Sequence, residues 1–431
     1  MAHRQSYDLM VIGAEAAGFA AAAAANRLGG RAVVLRAGSE PRPAGLRPSP
    51  PNFVWRLLDL HRFELKTIEA GLAVTHLAEG ERVPTHPDGA KTARLLAARD
   101  ATLEHFWPDF LQAMARAKAA DPPPTDDKGR RVKSAGGLAL VDRPHASAIE
   151  ILDDRFSDEA LKAHVLMTAL APLGLAGDEP GSATALFDFE AAAPPHRVDA
   201  EALQDALAAA AKDAGAVIED AMLVSLAREG ERLWIARLED GEEVRAARAI
   251  ASSALVAEAA GLLADAGGSP LRRQAGVEAT IRLRYAKKPR VKSGEGAQTH
   301  HIAADKRALA RARDAMLEGR IDDAMPISFE IRGREIVARA PFAPASIREN
   351  GGMRDWTGQD LQILGRAAAA AIGRRLDPAA GAPQSVDATL GPDVAAGLRR
   401  RDFSLDALTV PAPSVDQVGA AAALAVKLMR P

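Results

Sequence analysis

The run Gly13-Ala14-Glu15-Ala16-Ala17-Gly18 sets two glycines five positions apart directly after an apolar segment. A glycine at the first position lets the chain turn sharply out of a strand. One at the last lets a helix lie close against that strand, and the open amides at the helix start can hold a pyrophosphate. The chemistry such a turn serves is dinucleotide binding. Two charged residues bear on it. Glu15 stands at the middle position, where a missing side chain lets the backbone approach phosphate, and Arg36 ends the next apolar run, where an acid would accept ribose hydroxyls. A carboxylate about 4 Å from a phosphate costs roughly 1 kcal/mol in water and about 4 kcal/mol in a partly shielded site. Losing the charge-assisted ribose bonds forfeits about 1.5–3 kcal/mol more. Arg36 also suits the 2′-phosphate of NADP, but Glu15 opposes any pyrophosphate at this turn. The two side chains carry opposite charges and project toward one space, so a Glu15–Arg36 pair closing the pocket is a second expectation.

The elements that must position these residues are legible from periodicity. Tyr7 to Ile12 reads as a buried parallel strand, Ala14 to Leu28 as a helix stopped by Gly29-Gly30, and Ala32 to Leu35 as a second strand. Strand, glycine turn, helix and strand within about thirty residues make a Rossmann-type βαβ unit with parallel neighbours. A proline-rich stretch follows from Pro41 to Pro51, and Phe53 to Ala120 reads as helices. Pro122-Pro123-Pro124 closes that block, and Ala146 to Leu173 reads as one or two more helices. The α/β pattern returns near residue 196. Asp199 caps a helix to Ala214, short strands follow at Val217-Ile218 and Met222 to Leu226, and a hairpin turns at Asp240-Gly241. Strands are expected at Ala279 to Tyr285, Ile327 to Ile331 and Glu335 to Ala340, and helices at Asp305 to Glu318, Gln359 to Arg375 and Asp416 to Met429. There is no internal repeat.

Composition narrows the function classes. The 431 residues are 48% apolar and only 4% aromatic, which favours a helix-rich α/β protein of two domains. A net charge of −2 gives no electrostatic case for a nucleic-acid partner, and zero cysteines exclude disulfides, thiolate metal sites and dithiol redox chemistry. Redox activity would therefore need a bound cofactor. No apolar run approaches the ~18 residues of a membrane span. Asp8 and Glu15 interrupt the apolar amino-terminal stretch, which reads as strand and helix rather than secretory signal, so a cytoplasmic location is the expectation.

Other chemistry-bearing residues have blander readings. His300-His301 are adjacent on a strand and point to opposite faces, so they cannot share one metal ion, and one is expected inward and one outward. Lys128 to Lys133 and Arg399-Arg400-Arg401 read as solvated, and Trp55, Trp107 and Trp356 as core anchors. No general acid, general base or metal site stands out, so the catalytic residues are unassigned.

The order of segments resembles the FAD-dependent amine-oxidase and phytoene-desaturase superfamily, and looks closest to its pyridine nucleotide-disulfide oxidoreductase domain-containing protein 2 branch. Tyr7 to Gly38 is similar to the superfamily's opening βαβ unit, Ile151 to Phe187 to a helical segment before a proline-glycine-serine turn, Asp199 to Ala254 to its second flavin-domain segment, and Thr299 to Ile331 to a substrate-domain segment. The resemblance implies an α/β fold. A Rossmann-type FAD/NAD(P)-binding domain would span 1–50, 192–265 and 385–431, and a mixed helical and β-sheet substrate or cap domain 51–191 and 266–384. It implies FAD as cofactor and an apolar small-molecule substrate that transfers hydride to flavin. The cofactor-binding positions would be Gly13, Ala14, Glu15, Gly18, Arg36, Gly45 (with Ala44, where the superfamily has a double glycine), Val224 and Gly419. Glu15, Arg36 and Asp416, which stands where the superfamily prefers glycine, count against FAD. They favour the alternative, a degenerate flavoprotein fold that acts as a scaffold or partner-binding protein. Substrate, electron acceptor and oligomeric state do not follow from the sequence.

Overall fold

A computed structural model describes residues 6–37, 45–78, 80–119, 146–189, 194–230, 233–251, 276–292, 297–393, 403–405, 408–410 and 417–429. Ala44, Asp416, Pro122–Pro124, Lys128–Lys133 and Arg399–Arg401 fall outside them. Along the chain the main elements begin with β1 (Ser6–Ile12), α1 (Ala16–Arg27), β2 (Ala32–Arg36), α2 (Asn52–Leu58), β3 (Leu72–His76) and β4 (Arg82–Thr85). Then come α3 (Gly89–Ala97), α4 (Leu103–Ala119), α5 (Ala148–Arg155), α6 (Glu159–Ala169), α7 (Ala200–Asp213), β5 (Val217–Glu229), β6 (Leu233–Leu238) and β7 (Glu243–Ala251). The last are β8 (Gly276–Arg284), β9 (Ala297–Ile302), α8 (Ala308–Leu317), β10 (Ile327–Arg332), β11 (Glu335–Pro344), α9 (Gly358–Gly373), β12 (Ser385–Asp393) and α10 (Gln417–Met429). The chain divides into two compact units: Met1–Ile68, Arg197–Gln274 and Pro392–Pro431 form one, Glu69–His196 and Ala275–Gly391 the other.

The first unit is a doubly covered parallel sheet. Parallel pairings run β5–β2, β2–β1, β1–β7 and β7 to Leu408–Val410. β5 and β7 continue past the parallel region and join β6 as an antiparallel meander. Alternation from Leu9 to Ile12 explains why the end of β1 is apolar without a break: Leu9 and Val11 enter the cluster under the helices, while Met10 and Ile12 enter the cluster on the other face. α1 packs against α7 and α10, and every residue from Ala17 to Ala25 is buried. Alanine suits that position because it forms helix well and allows close approach on all sides.

The second unit holds a seven-stranded mixed sheet in the order β12-β8-β11-β10-β9-β3-β4. β9 and β3 run parallel; β8–β11, β11–β10, β10–β9 and β3–β4 are antiparallel. Leu364, Ala368 and Ile372 of α9 pack on one face with Ile281, Phe329 and Ala338. On the other, α6 contacts β3 and β4, and α8 contacts β11. Two readings from the sequence are corrected. Leu72–His76 and Arg82–Thr85, within a block expected to be helical, are strands, because their alternating β-branched residues Val74, Val83 and Thr85 find a sheet edge to pair with. His300 and His301 are both buried, at 1% and 7% exposure, because helices cover both faces of their sheet.

Candidate dinucleotide site

β1 ends at Ile12, and the Gly13 amide donates to the Leu35 carbonyl at 2.9 Å, which ties the turn to the end of β2. Gly13 has φ of 120°, a conformation that side chains resist. A Cβ on Gly18 would lie 1.9 Å from the Gly13 carbonyl oxygen, so the first turn of α1 can sit on the strand end only because residue 18 is glycine. Both glycines are therefore used geometrically, as a dinucleotide turn requires and as close strand–helix packing also requires.

Glu15 is the N-cap residue of α1. Its backbone is extended, at φ −123° and ψ 176°, its carbonyl accepts from the Phe19 amide at 2.8 Å, and its carboxylate makes no capping hydrogen bond. A helix start carries partial positive charge and amides without intrahelical partners. Glu15 thus sits where the turn passes into the helix. Ala14 is buried, and Arg36, the last residue of β2, is exposed and in register with Met222 of β5.

The remaining candidates lie on the same unit. Gly45, with φ of 82°, is buried, and its carbonyl accepts from the Ala200 amide at 3.0 Å, holding its loop to the start of α7. Val224 is 54% exposed and falls at a break in the β5–β6 register. Gly419 is buried in the first turn of α10. α1 and α10 pack along one another, and Met429 at the end of α10 reaches Gly30 beyond the end of α1. The helices are therefore aligned in the same sense, which puts Gly419 at the end of the unit where Gly13, Glu15, Gly18 and Arg36 stand. The carboxyl ends of parallel strands are where α/β sheets hold ligands. None of this was visible residue by residue, because it depends on the pairing of β1, β2 and β5 and on the sense of α10.

The strand–turn–helix, the positive-φ Gly13 and the close Gly18 contact are the backbone features that a dinucleotide turn uses.

No protein-family model matches the chain, and no curated protein matches it. Solved structures do. A triple mutant of putrescine oxidase, made to redesign cofactor binding, is 16% identical with a TM-score of 0.58, over 98% of each chain. Cyclohexylamine oxidase from Brevibacterium oxydans IH-35A is 14% identical with a TM-score of 0.54, over 99% of each chain. The chain shares the fold of these amine oxidases. A Rab GDI from Plasmodium falciparum reaches the same TM-score, 0.54, at 8% identity over 99% of this chain and 98% of its own. At these identities the amine-oxidase likeness is one of architecture: a Rossmann-type unit and a second, mixed unit, as the sequence led us to expect.

The second unit contains polar constellations that sequence reasoning missed. His164 of α6 is fully buried, its Nδ1 2.7 Å from Thr75 Oγ1 and its Nε2 2.8 Å from Thr85 Oγ1. Burial lowers its pKa to about 3. On the opposite face, His76 Nε2 and His300 Nδ1 are 3.1 Å apart, and His300 stacks on Phe329 with ring centroids 4.8 Å apart. Both are lowered to about 4, by burial and, for His76, also by the neighbouring His300, Arg375 and Arg82. His301 Nδ1 lies 2.7 Å from Ser328 Oγ. Among the described residues no group of three or more histidines, cysteines and acids is arranged to hold a metal, and no helix is long and apolar enough to cross a membrane.

Proposed function

We propose that the first unit binds FAD at the Gly13–Gly18 turn and that the chain is an FAD-dependent oxidoreductase-like protein acting on an apolar small molecule. The observation that carries this reading is the turn itself. Gly13 at φ 120° and Gly18 against the Gly13 carbonyl stand at the carboxyl end of a parallel β1–β2 pair. Bound flavin would supply the electron-accepting ring. The chain would contribute the Gly13–Gly18 turn and the start of α1 toward the pyrophosphate, with Val224, Gly45 and Gly419 as further contacts. The amine-oxidase fold supports the cofactor class, and the finer relationship belongs to the pyridine nucleotide-disulfide oxidoreductase domain-containing protein 2 branch. A cytoplasmic location is part of the same proposal.

Glu15 and Arg36 make the binding weak. Replacing both, Glu15→Gly with Arg36→Glu, removes a repulsion and restores a ribose acceptor, together worth roughly 3–6 kcal/mol or about two to four orders of magnitude in Kd. The test is titration of wild-type protein and double variant with FAD, read by quenching of flavin fluorescence and by the visible spectrum of the purified protein. Weak binding by the wild type and much tighter binding by the variant is the expected pair of results. If neither protein binds FAD, the reading fails.

A second reading is favoured by the carboxylate at the α1 N-cap. The fold then persists as a partner-binding scaffold without flavin, as a neighbour named a Rab GDI also makes reasonable. That reading predicts no FAD binding by wild type at saturating ligand together with restored binding in the double variant.

A further inference from the structure

The second unit contains a cavity of about 250 Å³ on the α9 face of its sheet. Ile302 at the end of β9, Met325 and Ile327 at the start of β10, and Ala367 and Ala371 of α9 give it alkyl walls. Charge enters through Arg374 and Arg375, which follow α9, and through the exposed Asp323.

Arg375 has a bonding deficit. Its Nη2 donates to the Leu77 carbonyl at 2.8 Å, while its Nε is buried and has no hydrogen-bond partner. The contacts of Arg374 and Arg375 among the described residues are with backbone carbonyls and with each other's charge, and neither has a carboxylate partner there. Burial and the like charge of Arg374 hold the Arg375 pKa below its ordinary value. Lys292 holds the backbone of this segment: its amide donates to the Arg375 carbonyl at 3.0 Å and its Nζ to the Arg374 carbonyl at 3.5 Å. Cations at a helix carboxyl end complement the helix dipole, which accounts for an exposed Arg374. It does not account for Arg375, which also lines this alkyl-walled space and carries a buried Nε without a partner, because buried donors in folded proteins are almost always satisfied.

We infer that this cavity binds a small monocarboxylate with a compact apolar body, the carboxylate on Arg375 and Arg374 and the body against Ile302, Met325 and Ile327. Guanidinium matches a carboxylate in geometry and charge. A free phosphate is a poorer match, since it would press hydrated oxygens against alkyl carbon on most sides. A neutral isostere would keep the wall contacts and lose the charge-assisted bonds. Asp323 opposes an anion from the cavity lining, so its removal should tighten binding.

The test uses the full chain and isothermal titration with sodium benzoate, benzamide and inorganic phosphate at matched ionic strength. Benzoate should bind one to one, and benzamide and phosphate at least about tenfold more weakly. Arg375→Gln should weaken benzoate by roughly ten- to a hundredfold, with a smaller loss for the exposed Arg374→Gln. Ala371→Leu leaves both guanidiniums in place and fills the cavity, so it should abolish binding; it keeps the test decisive if Arg375→Gln does not fold. Asp323→Asn should strengthen benzoate. Equal affinity for benzoate and benzamide, preference for phosphate, or no benzoate binding by the wild type would each overturn the inference.

Discussion

Acidification should unfold this protein well above the range in which its carboxylates titrate, through three buried histidines. In the native state His164 titrates near 3 and His76 and His300 near 4, against 6.5 when unfolded. The folded values are depressed, so the unfolded chain binds more protons, and stability present above 6.5 is lost as the pH falls toward the folded values. Three protons taken up on unfolding give a slope of about 4 kcal/mol per pH unit. From about pH 7.5 to about pH 5 the sum reaches roughly 6 kcal/mol, comparable to the whole stability of an ordinary domain. The cause is geometric for each. His164 is held between two threonine hydroxyls and can gain a proton only at full burial, and His76 meets a second imidazole with Arg375 and Arg82 nearby. Asp153 and Asp158, held by Lys162 and Arg99, titrate below their ordinary 3.8 and so below this window, whereas burial raises Glu219 above its ordinary 4.5 and offsets part of the slope at the lower end. The assay is urea unfolding at several pH values between these limits, with proton uptake taken from the slope. Substituting His164→Asn keeps a donor and an acceptor and should remove one proton from it. A stability independent of pH across this window, or an unchanged slope in the His164 variant, would refute the reasoning.

Two further outcomes follow from packing. Gly18→Ala puts a methyl 1.9 Å from the Gly13 carbonyl oxygen and should cost about 1–3 kcal/mol or more, visible as a lowered Tm; an unchanged Tm would mean that α1 slides without cost. Lys162 and Lys306 both reach Asp153, at 2.6 and 2.7 Å, and both reach Glu159. Either lysine alone keeps the carboxylates paired, so each single change to Met should cost under about 1 kcal/mol, and the double variant should lose about 1–2 kcal/mol more than their sum in urea unfolding.

The βαβ opening was readable because each of its elements is a local pattern. An apolar run, two glycines and an alanine helix specify strand, turn and helix without help from distant residues, and Gly13 and Gly18 do what their type allows. The hairpin at Asp240-Gly241 was readable for the same reason, with Gly241 at φ 85°. Local pattern fails where a partner arrives from far along the chain. β3 and β4 are short, and their strand character depends on β9, whose His301 meets Thr75 across 226 positions of sequence. Burial of both His300 and His301 needed helices on both faces of one sheet, which neighbouring residues do not announce. α6 carries Lys162 and His164 among its buried positions, so its sequence has no polar face to read. Its lysine finds Asp153 and Glu159, and its histidine finds two threonines, only after the sheet has formed. The cavity beside Arg375 is built from four segments spread between Ala78 and Arg375. Sequence determined the turn that suits a dinucleotide and the charges that oppose one. Tertiary pairing alone decided which buried polar groups are satisfied and which guanidinium nitrogen is left without a partner, because hydrogen-bond partners and water exclusion are properties of packed surfaces rather than of neighbouring residues.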